Sequence, residues 1–158
     1  MRDPQLRRNR LSVGQALAAA GAVLSLVFVG LEVRQNTKAI RGTTYQAVAE
    51  ANTDWLAMLA LEPELLDLTR RWTAGDTTFT AEERGRIYVL QLHFWRTIEN
   101  AHYQYLQGNL PEDVVRRWIP PDMFGNPILA RWWSGARDRF TPAFVGYVEA
   151  VATEADRP

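Results

Sequence analysis

From Leu11 to Leu31 the chain carries no charge, and Ser12, Gln15 and Ser25 are its conventionally polar side chains. Twenty-one residues at 1.5 Å each make a helix of about 30 Å, the thickness of a bilayer's hydrocarbon core. The buried helix of a small soluble domain rarely runs so far without a charge. A cleaved signal peptide has a shorter apolar run, about 7–15 residues, with small residues after it at the cleavage site. Here the order is reversed: Ala18, Ala19, Ala20 and Ala22 come first, and the most apolar stretch, VLSLVFVG, follows them. The pair Arg7-Arg8 has the look of a twin-arginine signal, but Arg10 stands where that signal needs an apolar residue. The pattern predicts an uncleaved transmembrane helix over 11–31, preceded by a basic tail over 1–10.

Past Leu31 the pattern turns amphipathic. Gly42 weakens the helix, but nothing breaks it before Glu62-Pro63, and Tyr45, Val48, Ala49, Trp55, Leu56 and Leu59 form an apolar stripe at roughly helical spacing. The anchor is therefore expected to continue as a stalk into an extramembrane helical domain, residues 32–158. Pro63 suits the first turn of a second helix, PELLDLTRRW, which stops near Gly75. Thr80 and Glu83, three apart, form a capping box that starts a third helix, running to about Gln107 with Gly108 as its stop. Asn109 and Pro111 open a short helix through Trp118, and IPPDMFGNP reads as a loop. Asn126-Pro127 and Thr141-Pro142 each place a capping side chain before a Pro at the first helical position. There is no period-two strand, repeat or low-complexity tract. The predicted fold class is all-α: one transmembrane helix continuing into a stalk, then a small helical bundle.

Charge adds a direction to this picture. The net charge is zero, which argues against a general nucleic-acid binder. Yet residues 1–41 hold seven cations against two acids, and residues 42–158 hold eleven Arg against sixteen acids. The cations Arg7, Arg8, Arg10, Arg34, Lys38 and Arg41 flank the span on both sides, as expected for contact with anionic lipid headgroups. Four Arg precede the span and three cations follow it, so the positive-inside rule favours a cytoplasmic N-terminus and a periplasmic domain by a narrow margin. Within the span, Gly14, Ala18, Gly21 and Ser25 recur at spacings of four, three and four, lining one side where a second helix can approach closely. Gly and Ala are also simply common in membrane helices. With no cysteine, disulfides and thiolate metal sites are excluded.

Candidate chemistry concentrates in the third helix, HFWRTIENAHYQYLQG. Arg96, Glu99 and Tyr103 share a face at i, i+3 and i+7, flanked by Asn100 and Gln104, beside an apolar stripe of Ile87, Leu90, Phe94, Ile98, Ala101 and Tyr105. A polar row beside a core stripe reads first as a hydrogen-bond network that fixes one packing arrangement; a ligand site at Arg96, Glu99, Asn100 and Tyr103 is the functional alternative. Glu99-x-x-His102 has the spacing of di-iron bundles, but it occurs once where two copies and two further Glu are needed. No nucleophile elbow or glycine-rich phosphate loop is present, so neither catalysis nor a cofactor or metal is expected. The C-terminal ARWWSGARDRFTPAFVGYV is dense in rings and Arg. Trp132, Trp133, Phe140, Phe144 and Tyr147 suit a core, while Trp132, Trp133, Arg137 and Arg139 are the residue types that anchor a partner surface or a lipid-interface belt.

The span running into EVRQNTKAIR, followed by FWRTIENAHYQY and RWW…RDRFTPAFVGYV, resembles a family of small bacterial proteins with one N-terminal membrane helix and an all-helical domain. The resemblance covers Leu11 to Val148. It implies an uncleaved anchor, residence in the bacterial cytoplasmic membrane and an all-α domain, and it supplies no catalytic residue. The arginine-rich MRDPQLRRNR is not a feature of that family. The expected role is a non-catalytic accessory subunit that docks on other membrane proteins in a larger complex, of the respiratory or photosynthetic kind, or on itself. The alternative is a homo-oligomeric membrane receptor for a small molecule or peptide.

Overall fold

The computed structural model describes the backbone of residues 4–119 and 125–155, and the side chains of 14–119 and 125–153. Among the described residues every regular element is helical. The first helix, α1 (Pro4–Leu61), runs without interruption through Gly30 and Gly42. It ends because the ring of Pro63 forces the residue before it out of helical geometry: Glu62 is extended, with φ −114° and ψ 90°. The chain divides into two compact units, residues 1–42 and 43–158.

The first unit is the N-terminal part of α1. It contains a helix long and apolar enough to cross a membrane. Every described side chain from Gly14 to Gly42 is exposed, with Leu24 at 70%, Leu26 at 73% and Phe28 at 68%.

The second unit begins with the remainder of α1. Val48, Trp55 and Leu59 are buried there, with Ala51, Asn52 and Met58 half-buried between them. This stripe differs from the predicted one, because Tyr45 and Leu56 lie on its shoulder and face solvent. Helix α2 (Pro63–Thr73) buries Leu68 and Trp72, then ends at a turn where Gly75 takes φ +90°. The capping box opens α3 (Ala81–Leu106): the Glu83 N–H donates to Thr80 Oγ1 at 3.2 Å, and the Thr80 N–H donates to Glu83 Oε2 at 2.7 Å. Gly108, at φ +72°, takes the left-handed turn that stops α3.

Helix α4 (Glu112–Arg116) is shorter than predicted and is preceded by Pro111 rather than capped by Asn109. The Asn109 amide instead donates to the Gln104 side chain at 3.0 Å. Part of the expected loop, residues 120–124, lies outside the described residues. Helix α5 (Pro127–Ala136) starts where the Asn126 side chain accepts from the Ile128 N–H at 2.9 Å. A 3₁₀ turn (Arg137–Arg139) leads to α6 (Pro142–Ala155).

Within this unit α3 packs against α2, α4 and α6, and α2 packs against α5. Because α3 has neighbours on several sides, it buries more than the predicted stripe. Trp95 is fully buried, and Gln91, Glu99 and His102 are buried too, whereas Phe94 and Tyr105 are half-buried. Two apolar clusters result. One gathers Trp55, Leu59, Leu68, Trp72, Phe79, Ile87 and Leu90. The other surrounds Trp95, whose ring centroid lies 4.7 Å from that of Trp133, 6.4 Å from Trp132 and 6.2 Å from Phe144.

Candidate functional site

The exposed span is the first candidate surface. At about 100° per residue, Gly14, Ala18, Gly21 and Ser25 fall within roughly 60° of one another around the helix. A Cβ added at Gly14 or Gly21 would meet nothing within 4 Å. The Ser25 hydroxyl donates to the Gly21 carbonyl at 2.9 Å, so the polar side chain on this line is satisfied within the helix. Arg34, Lys38 and Arg41 are exposed along the same unit. The side chains of Arg7, Arg8 and Arg10 lie outside the described residues.

The second candidate is the polar row of α3. Arg96 Nη1 donates to Glu99 Oε2 at 2.5 Å, and Arg96 Nη2 donates to the Arg139 carbonyl at 2.6 Å. The other Glu99 oxygen accepts from the Thr141 N–H at 2.7 Å. The Arg96 guanidinium also lies 5.1 Å from the Phe140 ring centroid, a cation–π contact. One ion pair on α3 therefore holds the chain from residue 139 to 141, where the 3₁₀ turn passes into α6. The predicted row is only partly a network: Asn100 and Tyr103 are exposed and take no part in these bonds. All four residues border a shallow depression of about 270 Å³. That is below the roughly 300–1,000 Å³ of small-molecule pockets, and both charges beside it are engaged within the protein.

His102 does not join Glu99 in a metal set; no group of three or more ligating side chains occurs among the described residues. Its ring is buried against those of Tyr147 (4.6 Å between centroids) and Phe144 (5.6 Å). That burial lowers its pKa, against an opposing pull from the Glu99 charge, and so favours the neutral ring.

The third candidate, the aromatic and Arg-bearing C-terminal stretch, resolves mainly into core. Trp133 is buried, 3% exposed, with its ring between Trp95 and Phe140, which is the core place expected for it and corrects the alternative that put it on a partner surface. Trp132 is half-buried between Trp95 and Tyr88. Arg137 pairs with Glu149 at 2.8 Å, and the Arg139 guanidinium lies 5.5 Å from the Tyr88 ring centroid.

A fourth cluster has no counterpart among the sequence expectations. Arg71 Nε donates to Asp76 at 2.8 Å and its Nη1 to Glu83 at 2.8 Å, while its guanidinium sits 4.7 Å from the Phe79 ring centroid. The Thr78 N–H and hydroxyl both donate to Asp76 Oδ1, at 2.7 and 2.6 Å. The Thr78 hydroxyl, its N–H and then Arg71 hold the Asp76 carboxyl well down, at about 2. Glu83 is also lowered, first by the Thr80 N–H and then by Arg71. This cluster ties the turn between α2 and α3 to both helices. The capping pair Thr80 and Glu83 was the one sequence signal near it. Comparison with protein-family models, with curated proteins and with solved structures gives no match to this chain.

Proposed function

We propose that the chain is a non-catalytic, single-span protein of the cytoplasmic membrane that serves as a structural subunit of a larger membrane assembly, with its domain on the periplasmic side. One observation carries the reading: a long uncharged stretch of α1 whose large apolar side chains, among the described residues, are all exposed. Such a surface is stable only in lipid or against other helices. The line of Gly14, Ala18, Gly21 and Ser25 supports a helix neighbour on one side of the span. The domain supports a structural role, because Arg96, Glu99, Trp133 and His102 are taken up by packing and internal bonds. A receptor reading has the depression beside Asn100 and Tyr103 in its favour, but the charges that would hold a ligand there are already paired.

The test is extraction of native membranes with mild detergent, followed by sizing and identification of everything that co-migrates. The expected result is a stoichiometric set of other membrane proteins. Migration alone or only with itself removes the subunit reading. Gly21→Leu, which fills the small-residue line, is expected to release those partners while leaving the domain folded. Unchanged co-migration of that variant removes the packing line.

A further inference from the structure

The charges of the first unit are sorted by face. At 100° per residue, Arg34, Lys38 and Arg41 fall within about 60° of one another around α1. Glu32, the acid that this unit carries beyond Gly14, lies about 150° round from their mean, and the Gly14, Ala18, Gly21 and Ser25 line about 160° round. None of the three cations forms an ion pair among the described residues, and all three are exposed. They are also set at defined depths. Counted from Leu31, the end of the uncharged run, they stand roughly 5, 10 and 15 Å along the axis, and a headgroup layer is about 5–8 Å deep. Each Cα–Cβ bond in a helix tilts toward the helix N-terminus, so these three long side chains lean back toward the span rather than away from it.

We infer that Arg34, Lys38 and Arg41 form a one-sided binding surface for anionic phospholipid headgroups. This rests on the single-span reading proposed above and adds a rotational setting to it. Three cations on one face, with the acid on the opposite face, draw anionic lipid to one side of the helix only. The span is thereby turned so that the small-residue line points away from that lipid. A free acidic peptide would satisfy the same charges, but these cations follow the apolar run within one to three helical turns and lean toward it. Arg34 starts within the phosphate layer, and Lys38 and Arg41 stand beyond it with long side chains that lean back toward it.

The test uses the full-length chain inserted in vesicles of phosphatidylcholine, with and without phosphatidylglycerol, and reads two things. Alkaline extraction reports whether the chain spans the bilayer. Native mass spectrometry after detergent extraction counts the lipids that stay bound. The expected result is selective retention of phosphatidylglycerol, weakened by sodium chloride and no further by inorganic phosphate at equal ionic strength. Removing the three cations in R34Q/K38Q/R41Q is expected to cost about fivefold in that selectivity for each cation. K38R should keep it, as should R70Q/R117Q, which removes charge from the domain surface. A triple variant that stays inserted with unchanged selectivity overturns the lipid surface while leaving the span reading intact. Displacement of the retained phosphatidylglycerol by added polyglutamate, at an ionic strength where inorganic phosphate displaces none, overturns it in favour of an acidic protein partner. Release of the wild-type chain by alkali overturns the span reading and the lipid surface together.

Discussion

Glu99 uses each of its carboxylate oxygens once, one for Arg96 on its own helix and one for the Thr141 N–H at the start of α6. A buried carboxylate is tolerable only with such partners, since an unpaired charge costs several kcal/mol to remove from water. Asp76 solves the same problem near the surface, and there the solution has a pH signature. Thr78 and Arg71 bring its carboxyl from the usual 3.8 to about 2, so the folded chain binds fewer protons than the unfolded one in that range. Its stabilising contribution is therefore fully present above about pH 4 and is lost as the pH falls through about 2. Glu83 shifts in the same direction. Asp76→Asn is expected to lower the melting temperature at neutral pH, with the gap to wild type closing as the solution is acidified toward pH 2. Thermal unfolding measured across that interval checks it; a gap that stays constant shows that the charge contributes nothing.

At the scale of elements, helix boundaries are local events and, apart from those of α4, were legible in the sequence. Pro63, Thr80 with Glu83, Gly108, Asn126 and Pro142 each mark an end by their own backbone or capping chemistry. The capping box of α3 gives a direct check. Thr80→Ala is expected to cost about 1 kcal/mol in denaturant unfolding. Combined with Glu83→Ala the loss should be less than the sum, because the two residues serve one motif. Loss equal to the sum would show that they act independently. Which face of each helix is buried was less legible. Trp95 and His102 are buried and Tyr45 is exposed because of neighbours far away in the chain, and periodicity alone does not locate those. The same limit applies to the polar row. The i, i+3 spacing of Arg96 and Glu99 announces a pair, but its targets at Arg139 and Thr141 lie more than forty residues on. The Arg71 cluster closes across a turn, at separations of five and twelve residues, where no helical or strand period operates.

At the scale of the whole molecule, both apolar clusters draw all of their buried members from residues 48–151. The second unit therefore contains its own core. Residues 43–158 alone are expected to unfold cooperatively in detergent-free buffer, as measured by calorimetry; a broad transition without a heat-absorption peak would show that the first unit is needed for the fold. The aromatic residues are divided just as sharply, since all six Trp and all five Tyr lie beyond residue 42. Trp95 sits within 6.4 Å of both Trp132 and Trp133, centroid to centroid. Indoles that close share their excited states, so the chain carries an optical probe inside the domain core and none in the span. Fluorescence excited at the tryptophan edge will then follow the folding of the second unit in vesicles into which the chain is inserted, with no light contributed by residues 1–42.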